Sequence, residues 1–259
     1  MRRLVASLFF IFSFLVGLTQ GNFPVWDKDY AWGGSDNDYL MDIHQNEKNL
    51  KITAAGHTYT SNNQDISRFN KGLSDFWVVQ VDTGGVIQFE NSFGGDSTDN
   101  LAAMVPTADD GYLLAGYSAS GKNGEKSQDS KGGFDYWVVK INASGNKQWD
   151  KTIGGSGDDI LTCAIGTGDG SYLLGGYSKS GKSGDKSEIS YGNEDFWLVK
   201  VNGSGNIVWD LTLGGDSVDI MKSLALGTKE IIVGGHSISN ISGTKSEASY
   251  SSLTIVKSV

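Results

Sequence analysis

The sequence predicts an all-β protein, a β-propeller of four blades with four antiparallel strands in each. Three observations lead there. The chain repeats itself about every 60 residues; each period holds four short apolar runs separated by turn residues; and no apolar stripe recurs at helical spacing. Gly33-Gly34 returns as Gly94-Gly95, Gly154-Gly155 and Gly214-Gly215, at spacings of 61, 60 and 60. An aspartate follows each pair, five positions after its first glycine: Asp38, Asp99, Asp159 and Asp219. "DFWVVQV" from Asp75 returns as "DYWVVKI" from Asp135 and "DFWLVKV" from Asp195, and fades to "LTIVK" at Leu253. "AAGH", ending at His57, returns as "LAGY", "LGGY" and "VGGH", ending at Tyr117, Tyr177 and His236.

Within the third period the strand candidates are "ILTCAIG", "SYLLGGYS", "DFWLVKVN" and "NIVWDLTL". "TGDG" and "NGSGN" punctuate them with residues that tolerate tight turns. In "FWLVKV", Phe196, Leu198 and Lys200 point one way and Trp197, Val199 and Val201 the other. A strand apolar on both faces wants cover on both sides, which predicts sheets stacked face to face. Trp77, Trp137 and Trp197 are expected to pack between sheets, and Trp149 and Trp209 to sit on outer strands. The blades are placed at about 38–93, 99–153, 159–213 and 219–257. The last is expected to be completed by residues 25–32, whose "VWDKDYAW" resembles a missing fourth strand and would close the ring. An open repeat stack, or a part of a larger repeat protein, is the alternative.

Met1, Arg2 and Arg3, the apolar run Leu4 to Leu18, and small residues near Gly21 predict a secretory signal peptide over 1–21. Residues 22–259 then form a single domain, secreted, periplasmic or at the cell surface, with no transmembrane segment and a monomeric state expected. Thirty acidic against 21 basic residues, a formal charge of -9, argue against nucleic acid as a partner. One cysteine, Cys163, excludes a disulfide scaffold. Thirty-six glycines with only 2 prolines exclude collagen.

The repeat resembles that of uncharacterised secreted proteins of the Bacteroidota, which carry stretches like "DGGYLLAGYS…DYWVVKID…GNxxWdKTxGG". The matching residues are "DGYLLAGYSASGKNGEKS" from Asp110, "DYWVVKINASGNKQWDKTIGG" from Asp135 and "SYLLGGYSKSGKSGDKSE" from Ser171. The resemblance covers nearly all of the predicted mature chain. It implies export, and it implies no particular reaction.

Antiparallel topology puts the Gly-Gly connections and the long second-to-third loops on one face, and the short turns on the other. The long-loop face is the expected binding face. His57, Tyr117, Tyr177 and His236 enter it and are candidates to stack on sugars. Lys126, Lys186 and Lys245 recur in "GEKS", "GDKSE" and "GTKSE" and are candidate ligand contacts, or else loop braces; Ile66 breaks the series. These loops lack the frame of a phosphate-binding loop. Asp38, Asp99, Asp159 and Asp219 have two readings. As turn caps, each accepts hydrogen bonds from its own loop. As an axial ring, they would hold a hard cation, calcium first. No other cofactor is expected. No nucleophile elbow, histidine cluster or distinct carboxylate pair stands out. The expected function is non-catalytic extracellular binding or scaffolding, recognising glycan or protein. The alternative is a secreted carbohydrate-active enzyme using acids on the same face.

Overall fold

The computed structural model describes residues 33–60, 70–247 and 254–257. The predicted signal peptide, the closing strand at 25–32 and Ile66 lie outside the described residues. Among those described, every regular element is a strand, and all pairings within sheets are antiparallel. The first sheet holds β1 (Asp38–Gln45), β2 (Ile52–Thr58), β3 (Asp75–Val81) and β4 (Ile87–Phe93) in chain order. The second holds β5 (Asp99–Pro106), β6 (Tyr112–Ser118), β7 (Asp135–Ile141) and β8 (Lys147–Ile153). The third holds β9 (Asp159–Gly166), β10 (Tyr172–Ser178), β11 (Asp195–Val201) and β12 (Ile207–Leu213). The fourth holds β13 (Asp219–Leu226), β14 (Ile231–Ser237) and β15 (Thr254–Lys257).

The third strands fill the joints between sheets. Every residue of β3 and β7 is buried. Because side chains alternate across a strand, the aromatic dipeptide in "DYW" sends one ring each way. Trp137 meets Phe76 of the first sheet at 4.7 Å between centroids, and Tyr136 meets Trp197 of the third at 4.9 Å. Tyr136 also donates its hydroxyl to the Trp197 carbonyl at 2.9 Å. The aspartate of "WD" explains the outer strand. Asp150 accepts from the Trp137 indole at 3.2 Å and from the Ser127 amide at 2.8 Å, and Asp210 does the same for Trp197 and Ser187 at 3.0 Å each.

The glycine in each "AGH" or "GGY" motif answers a bulge. At this point the first strand of every sheet carries one extra residue, with register breaks between Leu40 and Asp42, Leu101 and Ala103, and Met221 and Ser223, and opposite Gly175 and Gly176. The bulge turns a backbone carbonyl toward the second strand. A Cβ on Gly56, Gly116, Gly176 or Gly235 would collide with the carbonyl oxygen of Tyr39, Asn100, Ile160 or Ile220. Only glycine leaves that space.

The closed four-blade propeller is not what forms. The four sheets are separate, and none is closed or curled into a ring. Packing passes from each sheet to the next: β1, β2 and β3 onto β5; β5, β6 and β7 onto β9; β9, β10 and β11 onto β13. Among the described strands, none of the first sheet packs extensively on the fourth. Equivalent positions in the first strands show the reason. Met104, Ala164 and Leu224 pack against the core shared with the preceding sheet, whereas their counterpart Ile43 is 47% exposed. Val105 and Ile165 pack toward the following sheet, whereas their counterpart Ala225 is exposed. In a ring Ile43 and Ala225 would share a joint. Here each stands at one end of an open stack.

Candidate functional site

The two loop types predicted to share a face are bonded to one another. Each long loop folds back on the Gly-Gly turn that precedes its own sheet: Glu125 N–H donates to Gly94 O at 3.0 Å, Asp185 to Gly154 at 2.8 Å and Thr244 to Gly214 at 3.0 Å. The glycine before each of these residues stands at φ near +56°: Gly124 (55°), Gly184 (56°) and Gly243 (57°). A side chain there would be strained, and its Cβ would strike the same carbonyl.

The four repeated aspartates are caps inside their own turns. Asp99 Oδ2 accepts from the Gly95 amide and the Ser120 hydroxyl, both at 2.8 Å. Asp159 accepts from Gly155 (2.7 Å) and Ser180 (2.9 Å), and Asp219 from Gly215 (2.8 Å) and Ser239 (2.7 Å). Asp38 accepts from Gly34 at 2.7 Å and from Thr58. All four are buried, each at the start of the first strand of its own sheet. A shared axial cation loses its axis with the ring, and among the described residues no three metal-ligating side chains converge.

Lys126 and Lys186 are 2% exposed. Lys126 Nζ donates to the Gln128 carbonyl and the Ser130 hydroxyl at 3.1 Å; Lys186 donates to the Glu188 carbonyl (3.0 Å) and the Thr212 hydroxyl (2.7 Å). Lys245 donates to Ser237 and to the Ser239 carbonyl at 2.6 Å. Their ammonium groups brace the loops from within. Burial lowers the basicity of Lys126 and Lys186, and the surrounding aspartates oppose that effect.

The aromatic candidates sit in differing company, His57 buried and Tyr117, Tyr177 and His236 half-buried. In the first sheet His57 stacks on Tyr39 at 5.0 Å, and Tyr59 stands edge-on to both, at 6.1 and 6.2 Å. Tyr39 is 45% and Tyr59 39% exposed, while His57 is at the margin of the core with its pKa lowered by burial. In the second sheet half-buried Tyr117 meets Phe134 edge-on at 5.4 Å and takes a hydrogen bond from Asn100. In the third, Tyr177 lies near Lys179, which binds Asp158 at 3.2 Å and Glu194 at 3.8 Å. His236 is half-buried in the fourth. The geometry therefore gathers Tyr39, His57 and Tyr59 into one cluster and leaves His236 apart from it. Tyr39 and Tyr59 were missed because neither recurs in the other periods.

A second feature lies on the opposite, short-turn face. A cleft of about 230 Å³ opens between the first two sheets, lined by His44, Lys48, Thr107, Asp110 and Tyr112. Tyr112 Oη contacts His44 Nδ1 at 3.2 Å and takes a hydrogen bond from Thr53 at 2.9 Å; Thr53 in turn takes one from Gln80 at 3.0 Å. The signal was present in the repeat. His44 and Thr53 stand where the second and third periods have Val105 and Ile165, and Leu113 and Leu173.

No helix among the described residues is long and apolar enough to cross a membrane. No family model matches the chain. The chain is similar to the regulatory protein FlaEY of Caulobacter vibrioides, 27% identical over 175 residues; that stretch takes in 63% of this chain and 18% of the length of FlaEY.

Proposed function

We propose that this is a non-catalytic extracellular binding or scaffolding protein that recognises glycan through its long-loop face. The observation that carries the reading is the cluster in which exposed Tyr39 and Tyr59 pack on the buried ring of His57. Across the repeats the aspartates and two of the lysines are buried and already hydrogen-bonded, which leaves these rings to meet a ligand. Flat, partly apolar rings with polar tips suit the faces of sugar rings. The acid pair Asp158 and Glu194 favours the enzyme alternative less, since Lys179 bridges both carboxylates. A glycan array should give binding that the double change Tyr39→Ala, Tyr59→Ala lowers at least about tenfold, the scale of two lost ring contacts, with an unchanged far-ultraviolet spectrum. Turnover of labelled oligosaccharides that is abolished by Asp158→Asn or Glu194→Gln would overturn the binding reading.

A second reading is a repeat segment of a longer structural protein. It is favoured by the exposed stack ends at Ile43 and Ala225, and by a similarity that spans 18% of a regulatory protein.

A further inference from the structure

Each joint between sheets contains two buried carboxylates. Asp75, Asp135 and Asp195 open β3, β7 and β11; Asp99, Asp159 and Asp219 open the first strand of the next sheet. Backbone bonds cross the joint beside them: the Asp99 amide donates to Ser74 O at 2.8 Å, Asp159 to Phe134 O at 2.6 Å and Asp219 to Glu194 O at 2.6 Å. One glycine packs against the first acid of each pair. A Cβ on Gly94, Gly154 or Gly214 would collide with Oδ1 of Asp75, Asp135 or Asp195, and the Gly214 position also lies 2.9 Å from Asp219 Oδ2.

Asp75, Asp135 and Asp195 are 0% exposed. Their Oδ2 atoms accept from loop amides, those of Lys71 (2.9 Å), Lys131 and Tyr191 (2.7 Å). Their Oδ1 atoms have no hydrogen-bond partner. A charged carboxylate with one buried, unsatisfied oxygen beside a second carboxylate is costly, and the cost is the same in three successive joints. A proton on Oδ1 removes the charge beside the neighbouring acid and spares the orphan acceptor its unsatisfied charge.

We propose that each pair, Asp75/Asp99, Asp135/Asp159 and Asp195/Asp219, binds one proton, and that losing it loosens the joint between two sheets. Each pair also faces one cation, which opposes proton binding. Asp75 faces Asp99, Glu125 and the ammonium of Lys71; Asp135 faces Asp159 and Lys126; Asp195 faces Asp219 and Lys186. Lys126 is shared with Asp99, Asp129 and Asp150, and Lys186 with Asp159, Asp210 and Glu188, which divides their effect. Burial, then the neighbouring acid, pushes Asp75 up to about 7 against the attraction of Lys71 and its amide; burial pushes Asp135 up to about 6, and raises Asp195 as well. Asp99 and Asp159 are raised too, again by burial first.

The sign follows from linkage. An acid whose folded pKa exceeds its unfolded value near 3.8 binds more protons folded than unfolded. Its contribution is complete below about pH 4 and is lost as pH rises through 6 and 7. The depressed acids Asp109, Asp150 and Asp169 act below this window, and His57, lowered by burial, acts in the opposite direction within it. A comparison of variants cancels those contributions.

The test compares the full chain with Asp75→Asn, Asp135→Asn and Asp195→Asn, singly and together, by thermal unfolding at pH 5 and pH 8. Asparagine keeps the acceptor for the loop amide and places a donor where the proton would sit. The triple variant should lose less stability than the wild type between pH 5 and pH 8, by about 5 °C or more in Tm. Parallel pH dependences would overturn the proposal. Carbon-13 titration of the wild-type aspartate carboxyls decides independently of whether the variants fold: midpoints near 7 for Asp75 and near 6 for Asp135 are expected, with Asp195 above the usual carboxylate range, and midpoints all below pH 5 would overturn it.

Discussion

Gly176→Ala lowers the unfolding free energy by about 3 kcal/mol or more, and Tm by roughly 6–12 °C, in thermal melts of the intact protein. The new Cβ collides with the Ile160 carbonyl, which is backbone and is held by the β9 bulge. The Tyr136 hydroxyl lies 2.7 Å from the same point, and moving it breaks the bond to the Trp197 carbonyl across the joint. Gly116→Ala should behave alike, since the Asn100 carbonyl occupies the matching place. Gly166→Ala is the control. Its Cβ would find only the Val105 side chain, at an ordinary 3.5 Å, and the substitution should be neutral or slightly stabilising. Equal losses at 166 and 176 would mean that helix and strand propensity, rather than the bulge, sets the cost.

Trp197→Ala should cost about 3–5 kcal/mol, measured by urea unfolding. The ring is completely buried between the second and third sheets, where it packs with Val105, Leu113, Tyr136 and Leu161. Truncation leaves a cavity that the two sheets cannot collapse without breaking the Tyr136 bond across the joint. It also takes from Asp210 the indole donor at 3.0 Å, leaving the Ser187 amide. Trp197→Phe keeps a buried ring but removes the donor and part of the ring volume, so it should cost less, about 1–3 kcal/mol. The difference between the two variants reports the packing that a buried ring supplies at this site.

The repeated parts of the fold were legible because they are local. Four apolar runs per period, turn residues between them and strands apolar on both faces become four antiparallel sheets packed face to face. The Gly-Gly pair with its trailing aspartate was legible as a capped turn for the same reason: donor and acceptor lie four residues apart. Ring closure was not legible. Sequence period sets what each sheet contains, whereas closure depends on the small rotation between sheets, which no residue spells out. Ile43 and Ala225 read as ordinary joint residues, like Met104 and Val105, and only their neighbours in space distinguish them. The lysines were legible either as ligand contacts or as loop braces. A recurring Lys-Ser in a surface loop looks like a ligand contact, yet Lys126 and Lys186 turn inward to satisfy carbonyls and hydroxyls of their own loops and strands. The site signals that were missed are departures from the repeat: Tyr39 where the second period has Asn100, and His44 where it has Val105.

The separation of the two ends of the stack distinguishes an open stack from a closed ring. Nitroxide labels on Ile43→Cys and Ala225→Cys, with Cys163 replaced by alanine, report that separation by pulsed electron paramagnetic resonance. Sheets packed face to face stand about 10 Å apart, so three successive joints predict a distance on the order of 20–30 Å. A closed ring would bring both positions into one joint, as it does Val105 and Ala164. A narrow distribution below about 12 Å, the width of a single joint, or a disulfide forming between the two cysteines, would contradict the open stack.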